Sequence, residues 1–293
     1  MGLIEKAGAP LQTEPGKPAS VVVEKAYADA APFDLDFRAL AAQGFYAPAA
    51  RASRLSLELR AVKRALLRRT GLRNAHGDRR MIRKGGRQRN LVLVTSTRPG
   101  EGKTFCAINL ALSLALEERT DVLLIDADAP RPKIRAHFNL PDGAGLADRL
   151  ADPSLPADAL IRQARQAPLG VISEGAPFSA SGGLLEAAEA QRFFTMLSTR
   201  YAGGLVIIDA PPVLAASEAL ALARHVDEVV FVIEADATPE AAVAAALDEM
   251  LEANQNVSLL LNRCLVGEAG SYYGAYGDYD RIQAPAQAGV GEV

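Results

Sequence analysis

Between residues 90 and 116 the chain reads as an apolar strand, a glycine-bearing turn and an apolar helix in immediate succession. Asn90-Leu91-Val92-Leu93-Val94 suits a strand buried on both faces, and residues 105–116 (FCAINLALSLAL) suit a buried helix. The turn between them is Pro99-Gly100-Glu101-Gly102-Lys103-Thr104. A turn of this kind aims successive backbone N–H groups, and the positive end of the helix dipole, at one point. Lys103 can then reach the outer phosphates of a nucleotide, and the Thr104 hydroxyl can ligate Mg²⁺. Arg98, Pro99, Gly100, Glu101, Gly102, Lys103, Thr104 and Phe105 are therefore the candidate phosphate-binding residues. The strict G-x-x-x-x-G-K-[ST] pattern has glycine where this chain has Thr97.

Downstream, continuous apolar runs alternate with helical segments. Strands are expected over residues 122–125, 170–172, 205–208, 228–233 and 257–261. Helices are expected over 146–150, 157–164, 184–201, 217–224 and 239–253. Apolar strands separated by helices imply a doubly wound, mainly parallel α/β sheet covered on both faces. The glycine-bearing turn ahead of the helix over 105–116 adds the loop of a P-loop NTPase. Ligands in such sheets sit beyond the carboxyl ends of the strands.

Three carboxylates stand at those ends. Asp126 and Asp128 close the run LLIDAD, and Asp209 closes LVIID. A hard cation takes oxygen ligands and keeps several waters, so Thr104, Asp128 and Asp209 form a candidate Mg²⁺ site. A lone Asp at a strand end can equally do no more than cap the next turn. Phosphoryl transfer asks mainly for positioning and charge neutralisation, which assigns Lys103, Asp126, Asp128 and Asp209 as candidate catalytic residues. A tyrosine acceptor, with an ordinary pKa of about 10, needs a base near neutral pH. Asp126 or Asp128 suits that task better than Asp209.

The flanks differ from this core. Residues 1–50 are rich in Ala and Pro and are expected to be a flexible region, with one short helix near residues 3–7. Residues 51–89 are read as a basic helix and connector. Leu55, Leu59, Val62 and Leu66 line one face of a helix over 53–70, with Gly71 at its stop and an exposed connector over 74–88. Residues 51–90 carry fourteen Arg or Lys against Glu58 and Asp78, inside a chain of net charge −3. Such a block can meet a neighbouring subunit, a membrane partner or nucleic acid, or remain a solvated face. No aromatic interleaving for base stacking is present, so nucleic acid is not expected. Residues 90–268 form the expected nucleotide-binding domain. Residues 269–293 are an expected disordered tail in which Tyr272, Tyr273, Tyr276 and Tyr279 cluster.

No run reaches the length of a membrane-spanning helix, and MGLIEKAGAP is neither a secretory signal nor a myristoylation site. Cys106 and Cys264 lie far apart with no metal or redox spacing, which fits a reducing cytosol.

Together these motifs resemble the bacterial tyrosine kinases of exopolysaccharide and capsule export, whose P-loop is related to that of the MinD/ParA ATPases. TSTRPGEGKTFCAINLA is similar to their Walker A, VLLIDADAPRP to their Walker A′ and LVIIDAPPVL to their Walker B, and the tyrosine-rich tail matches their autophosphorylation cluster. The likeness covers about residues 55–280. The segment ELRAVKR and the opening LIEKA look most like the free-standing, exosortase-associated branch. Pro130 stands where an Arg is common in the A′ motif, with Arg131 and Pro132 retained.

The resemblance implies ATP and Mg²⁺ as cofactors and autophosphorylation of tail tyrosines between subunits of a ring. It also implies a membrane polysaccharide co-polymerase as activator, a tyrosine phosphatase as counterpart, and a cytoplasmic location at the inner face of the plasma membrane through that partner. Asn262 would contact adenine, or be an ordinary residue after a strand. Arg98 lies where MinD/ParA relatives carry a lysine that reaches a partner's nucleotide. A MinD/ParA-like ATPase switch without kinase activity, or a nucleotide-binding scaffold, would share the same loop.

Overall fold

The structure, a computed structural model, describes residues 30–48, 53–72, 88–175, 183, 185 and 188–264. The expected helix near residues 3–7, the connector from 73 to 87 and the tyrosine-rich tail lie outside the described residues.

Seven strands form one sheet: β1 Leu91–Ser96, β2 Val122–Asp126, β3 Arg162–Gln163, β4 Leu169–Ile172, β5 Leu205–Asp209, β6 Glu228–Glu234 and β7 Val257–Asn262. Their spatial order is β3-β4-β2-β5-β1-β6-β7. Every pairing is parallel except that of β3 with β4. Alternate residues of each strand point to opposite faces, which divides the core in two. Val92, Val94, Val122, Leu124 and Ile207 pack on one side against α3 (Lys103–Glu117). Leu91, Leu93, Leu123, Ile125 and Ile208 face the other side. There they meet α5 (Leu146–Ala151), α6 (Ala188–Arg200), α7 (Glu218–Ala223) and α8 (Glu240–Ala253). The doubly wound expectation holds.

On the α3 side the chain carries a further layer. Helix α2 (Arg54–Arg69) is capped by Ser53, whose Oγ accepts from Ser56 N at 3.2 Å. Leu59 and Leu66 of the expected stripe are buried, and Leu55 and Val62 pack against the core half-buried. Lys63, within the basic block, is itself buried and pairs with Glu117 at the end of α3, while Ser56 Oγ donates to the same carboxylate at 3.1 Å. Burial alone would raise the Glu117 carboxyl, but hydrogen bonds from Lys63, Tyr46 and Ser56 hold it below the usual carboxylate range.

Residues 30–48 correct the expectation of a flexible region over 1–50. Phe33, Leu35, Leu40, Phe45 and Tyr46 are all buried. Phe33 forms a parallel bridge with Ala164, and its N–H donates to Gln163 O at 3.0 Å. The segment continues into α1 (Phe37–Ala42), capped by Asp36, whose Oδ1 accepts from Arg38 N and Ala39 N. The Pro/Ala-rich composition conceals apolar residues that gain their partners only from the folded domain.

A second correction concerns residues 157–164. Only residues 157–159 make a single helical turn, after which Arg162 and Gln163 pair with Val171 and Gly170 as an antiparallel edge. Tertiary pairing overrides the local helical pattern there. Helix α4 (Ile134–His137), one turn long, is unanticipated.

Candidate functional site

The strand order places β5 between β1 and β2, so the three motif-bearing strands lie side by side. Asp209 is level with Val94 on one flank and with Asp126 on the other. The loop after β1 and the acids at the ends of β2 and β5 therefore meet at one end of the sheet.

The loop is built on two left-handed glycines, Gly100 at φ +96° and Gly102 at φ +92°. Gly102 leads directly into α3 with no side-chain cap, which leaves the first N–H groups of the helix free for a ligand. A Cβ on Gly102 would lie 2.1 Å from Asn262 Nδ2. That amide instead donates to Glu101 O at 2.8 Å, so Asn262, at the end of β7, braces the loop from below. The buried Glu101 carboxylate accepts from Arg98 N at 2.9 Å and from Thr238 Oγ1 at 2.5 Å. Thr97 is fully buried. Arg98, Pro99 and Gly100 are exposed at the loop's rim. The Phe105 side chain turns away from the loop and stacks on Phe45, ring centroids 5.4 Å apart. Only its backbone N–H remains available to a phosphate.

Lys103 is the hub. Its Nζ hydrogen-bonds Asp128 Oδ2, lies 3.2 Å from Thr104 Oγ1 and 3.8 Å from Asp209 Oδ1. Burial alone would lower the Lys103 pKa, yet Asp209 and Asp128 outweigh it and hold the ammonium above its ordinary value. Burial raises the Asp209 carboxyl, with Lys103 opposing the shift only in part. Burial and then the Asp209 charge raise Asp126 as well. The same burial pushes the Cys106 thiol up to about 12, which makes it a packing residue.

The acids divide their work. Asp126 Oδ1 accepts from Asp128 N at 3.2 Å, and its Oδ2 accepts from Lys133 N and Ile134 N at 2.9 Å each. It thus holds the chain after β2 and the start of α4. Asp128 holds Lys103. Neither oxygen of Asp209 accepts a well-formed hydrogen bond among the described residues, although both are fully buried. The Lys103 ammonium at 3.8 Å and the Thr104 hydroxyl compensate this burial only in part, which leaves carboxylate lone pairs for a further cation. That chemistry fits a hard cation shared with Thr104. No cluster of three His, Cys, Asp or Glu suited to hold a metal occurs among the described residues. Thr104 and Asp209 offer too few oxygens to fill a hard cation's shell, so phosphate oxygens and water would complete it.

Sequence reasoning found the loop and the acids. It missed Thr238, which holds the loop through Glu101, and Phe45, which stacks on Phe105 in the first turn of α3. Both come from segments far away in sequence and carry no motif of their own. Tyr272, Tyr273, Tyr276 and Tyr279 lie outside the described residues.

No protein-family model matches the chain. It is 31% identical over 193 residues to the tyrosine-protein kinase YwqD of Bacillus subtilis, a match covering 66% of this chain and 78% of that one. It is 27% identical over 188 residues to the putative tyrosine-protein kinase CapB of Staphylococcus aureus, covering 64% and 81% respectively. Among solved structures, the BceF tyrosine kinase domain superposes with a TM-score of 0.58 at 26% identity, covering 79% of this chain and 91% of that domain.

Proposed function

Because the chain belongs to the bacterial tyrosine-protein kinases, we propose that it is an autokinase that moves the γ-phosphoryl group of ATP to the hydroxyls of its own Tyr272, Tyr273, Tyr276 and Tyr279. The convergence of Lys103, Thr104, Asp128 and Asp209 behind a two-glycine loop carries this reading.

In the proposed reaction the loop N–H groups and Lys103 bind the β- and γ-phosphates, and Asn262 lies beside the adenine while bracing Glu101. Lys103 is held charged by its two acids, so it can meet developing negative charge on the transferred group. Thr104 and Asp209, with Asp128 near them, would hold Mg²⁺, which when bound neutralises phosphate charge. A tail tyrosine oxygen attacks the γ-phosphorus, the bond to the β-bridging oxygen breaks, and ADP leaves. Asp128 takes the phenolic proton, since it commits one oxygen to Lys103 whereas Asp126 spends both on backbone N–H groups. Asp126 positions rather than reacts.

We assign the chain to exopolysaccharide or capsule production, with a membrane polysaccharide co-polymerase as activator, a tyrosine phosphatase as counterpart and a homo-oligomer as the working form. Among the described residues no helix is long and apolar enough to cross a membrane, which is compatible with recruitment by such a partner. In this reading Arg98, exposed at the rim, meets a neighbouring subunit's nucleotide.

Incubating the purified chain with Mg-ATP and mapping phosphate by mass spectrometry tests the reading. Phosphate is expected on the tail tyrosines and absent from Lys103→Met. ATP turnover with no phosphotyrosine, even with the cognate activator present, would instead establish an ATPase switch.

A further inference from the structure

Phe45 occupies the gap between the two elements that carry the site. Its ring stacks on Phe105, two residues beyond Lys103 in α3, at 5.4 Å and an interplanar angle of 28°. On its other side it meets the ring of His137 edge-on at 4.9 Å and 73°. His137 is the last residue of α4, and the first residue of that helix donates its N–H to Asp126. One ring therefore touches both the first turn of the phosphate-binding helix and the far end of the one-turn helix that Asp126 anchors.

The surrounding contacts fix the ring in place. His137 Nδ1 lies 2.7 Å from Gln43 Oε1, an acceptor only, so the Nδ1 proton points at Gln43. Gly44 takes φ +83°, a left-handed turn that carries the chain under the Phe105 ring. Tyr46 N donates to Asn109 Oδ1 at 2.7 Å, tying the next residue to α3 itself. At the segment's other end, Asp34 binds Arg165 at 2.7 Å and Gln166 at 2.9 Å. Phe45 thus contacts both site elements from a segment that is itself fastened to α3 at Tyr46 and to Arg165 and Gln166 at Asp34.

We propose that Phe45 is a positioning residue for phosphoryl transfer. Acting through Phe105 and His137, it keeps Lys103 and Thr104 at a fixed distance from Asp126 and the loop that presents Asp128. The inference rests on the kinase reading of the site. Displacements near an ångström in reacting geometry cost up to a hundredfold in rate, whereas ground-state binding of a nucleotide held by many N–H groups tolerates them. A wedge of this kind therefore acts on turnover more than on affinity.

The test uses the full chain with Mg-ATP and four variants. Phe45→Leu keeps an apolar side chain and removes the ring, Phe45→Tyr keeps the ring, and Gln43→Ala removes only the contact to His137. Asp34→Ala loosens the segment at its exposed end without touching the wedge. We expect Phe45→Leu to lower the rate at saturating ATP by about tenfold or more, with the KM for ATP changed by no more than about twofold. Phe45→Tyr restores the rate, Gln43→Ala gives a smaller loss of the same kind, and Asp34→Ala lowers Tm at unchanged rate. A wild-type rate in Phe45→Leu, or a loss that Asp34→Ala matches at equal Tm, would overturn the proposal. If the wild-type chain forms no phosphotyrosine even with the cognate activator present, the kinase reading fails on its own. The ATP hydrolysis rates of the same four variants then decide the positioning role.

Discussion

At Gly102 the backbone takes φ +92° while Asn262 Nδ2 stands 2.1 Å from where a Cβ would be. Gly102→Ala therefore combines left-handed strain with displacement of an amide that braces Glu101 O, a loss of about 2–3 kcal/mol in urea unfolding. Asn262→Ala alone forfeits one hydrogen bond, about 1 kcal/mol. The double variant loses less than the sum of the two, because the clash disappears with the amide. Asp209 offers a second test at this scale. Its carboxyl is raised by burial, so the folded ligand-free chain binds a proton more readily than the unfolded chain does. Stability then falls as pH rises from the unfolded carboxylate value through the folded one, and the loss is complete above it. Asp209→Asn removes that term. Its unfolding free energy should exceed that of the wild type at pH 8, with the difference shrinking towards pH 4. The variant should also lose the extra stabilisation that Mg-ATP gives the wild type.

Helices α2 and α3 meet through a buried cation that belongs, by sequence, to a basic block. Lys63 is 1% exposed and answers Glu117, so Lys63→Ala leaves a half-shielded carboxylate without its partner and costs about 3 kcal/mol. The double variant Lys63→Met/Glu117→Gln should recover most of that loss in the same urea measurement. This pair also marks how far the elements were legible. Buried parallel strands are continuous apolar runs, so β1, β2, β4, β5 and β6 could be read directly from the chain. β7 could be read from its apolar run although it lies half-exposed at the sheet edge. The edge strand β3 and residues 30–48 could not, because Arg162, Gln163 and Phe33 take their conformation from partners elsewhere in the chain. At the site the motifs identified Lys103, Thr104 and the three acids. They did not reveal that Asp126 is spent on backbone N–H groups or that Glu101 is tied to Thr238, since such roles depend on contacts and not on spacing. Phe105, grouped with the phosphate ligands by position, proves to face Phe45.

Across the whole molecule the nucleotide site and the proposed acceptor lie in separate parts of the chain. The sheet and its two cores lie within residues 30–264, so a chain ending at 264 should keep its thermal stability and its ATP-dependent rise in Tm. It should retain the site and lack the substrate. Mixing that truncated chain with full-length Lys103→Met then separates enzyme from acceptor, since each supplies what the other lacks. With Mg-ATP and the cognate activator, the account predicts phosphate on Tyr272, Tyr273, Tyr276 or Tyr279 of the Lys103→Met chain, absent when either chain is incubated alone. ATP consumed by the truncated chain while the tail of its partner stays unmodified would contradict it, provided full-length wild type under the same conditions is equally unmodified.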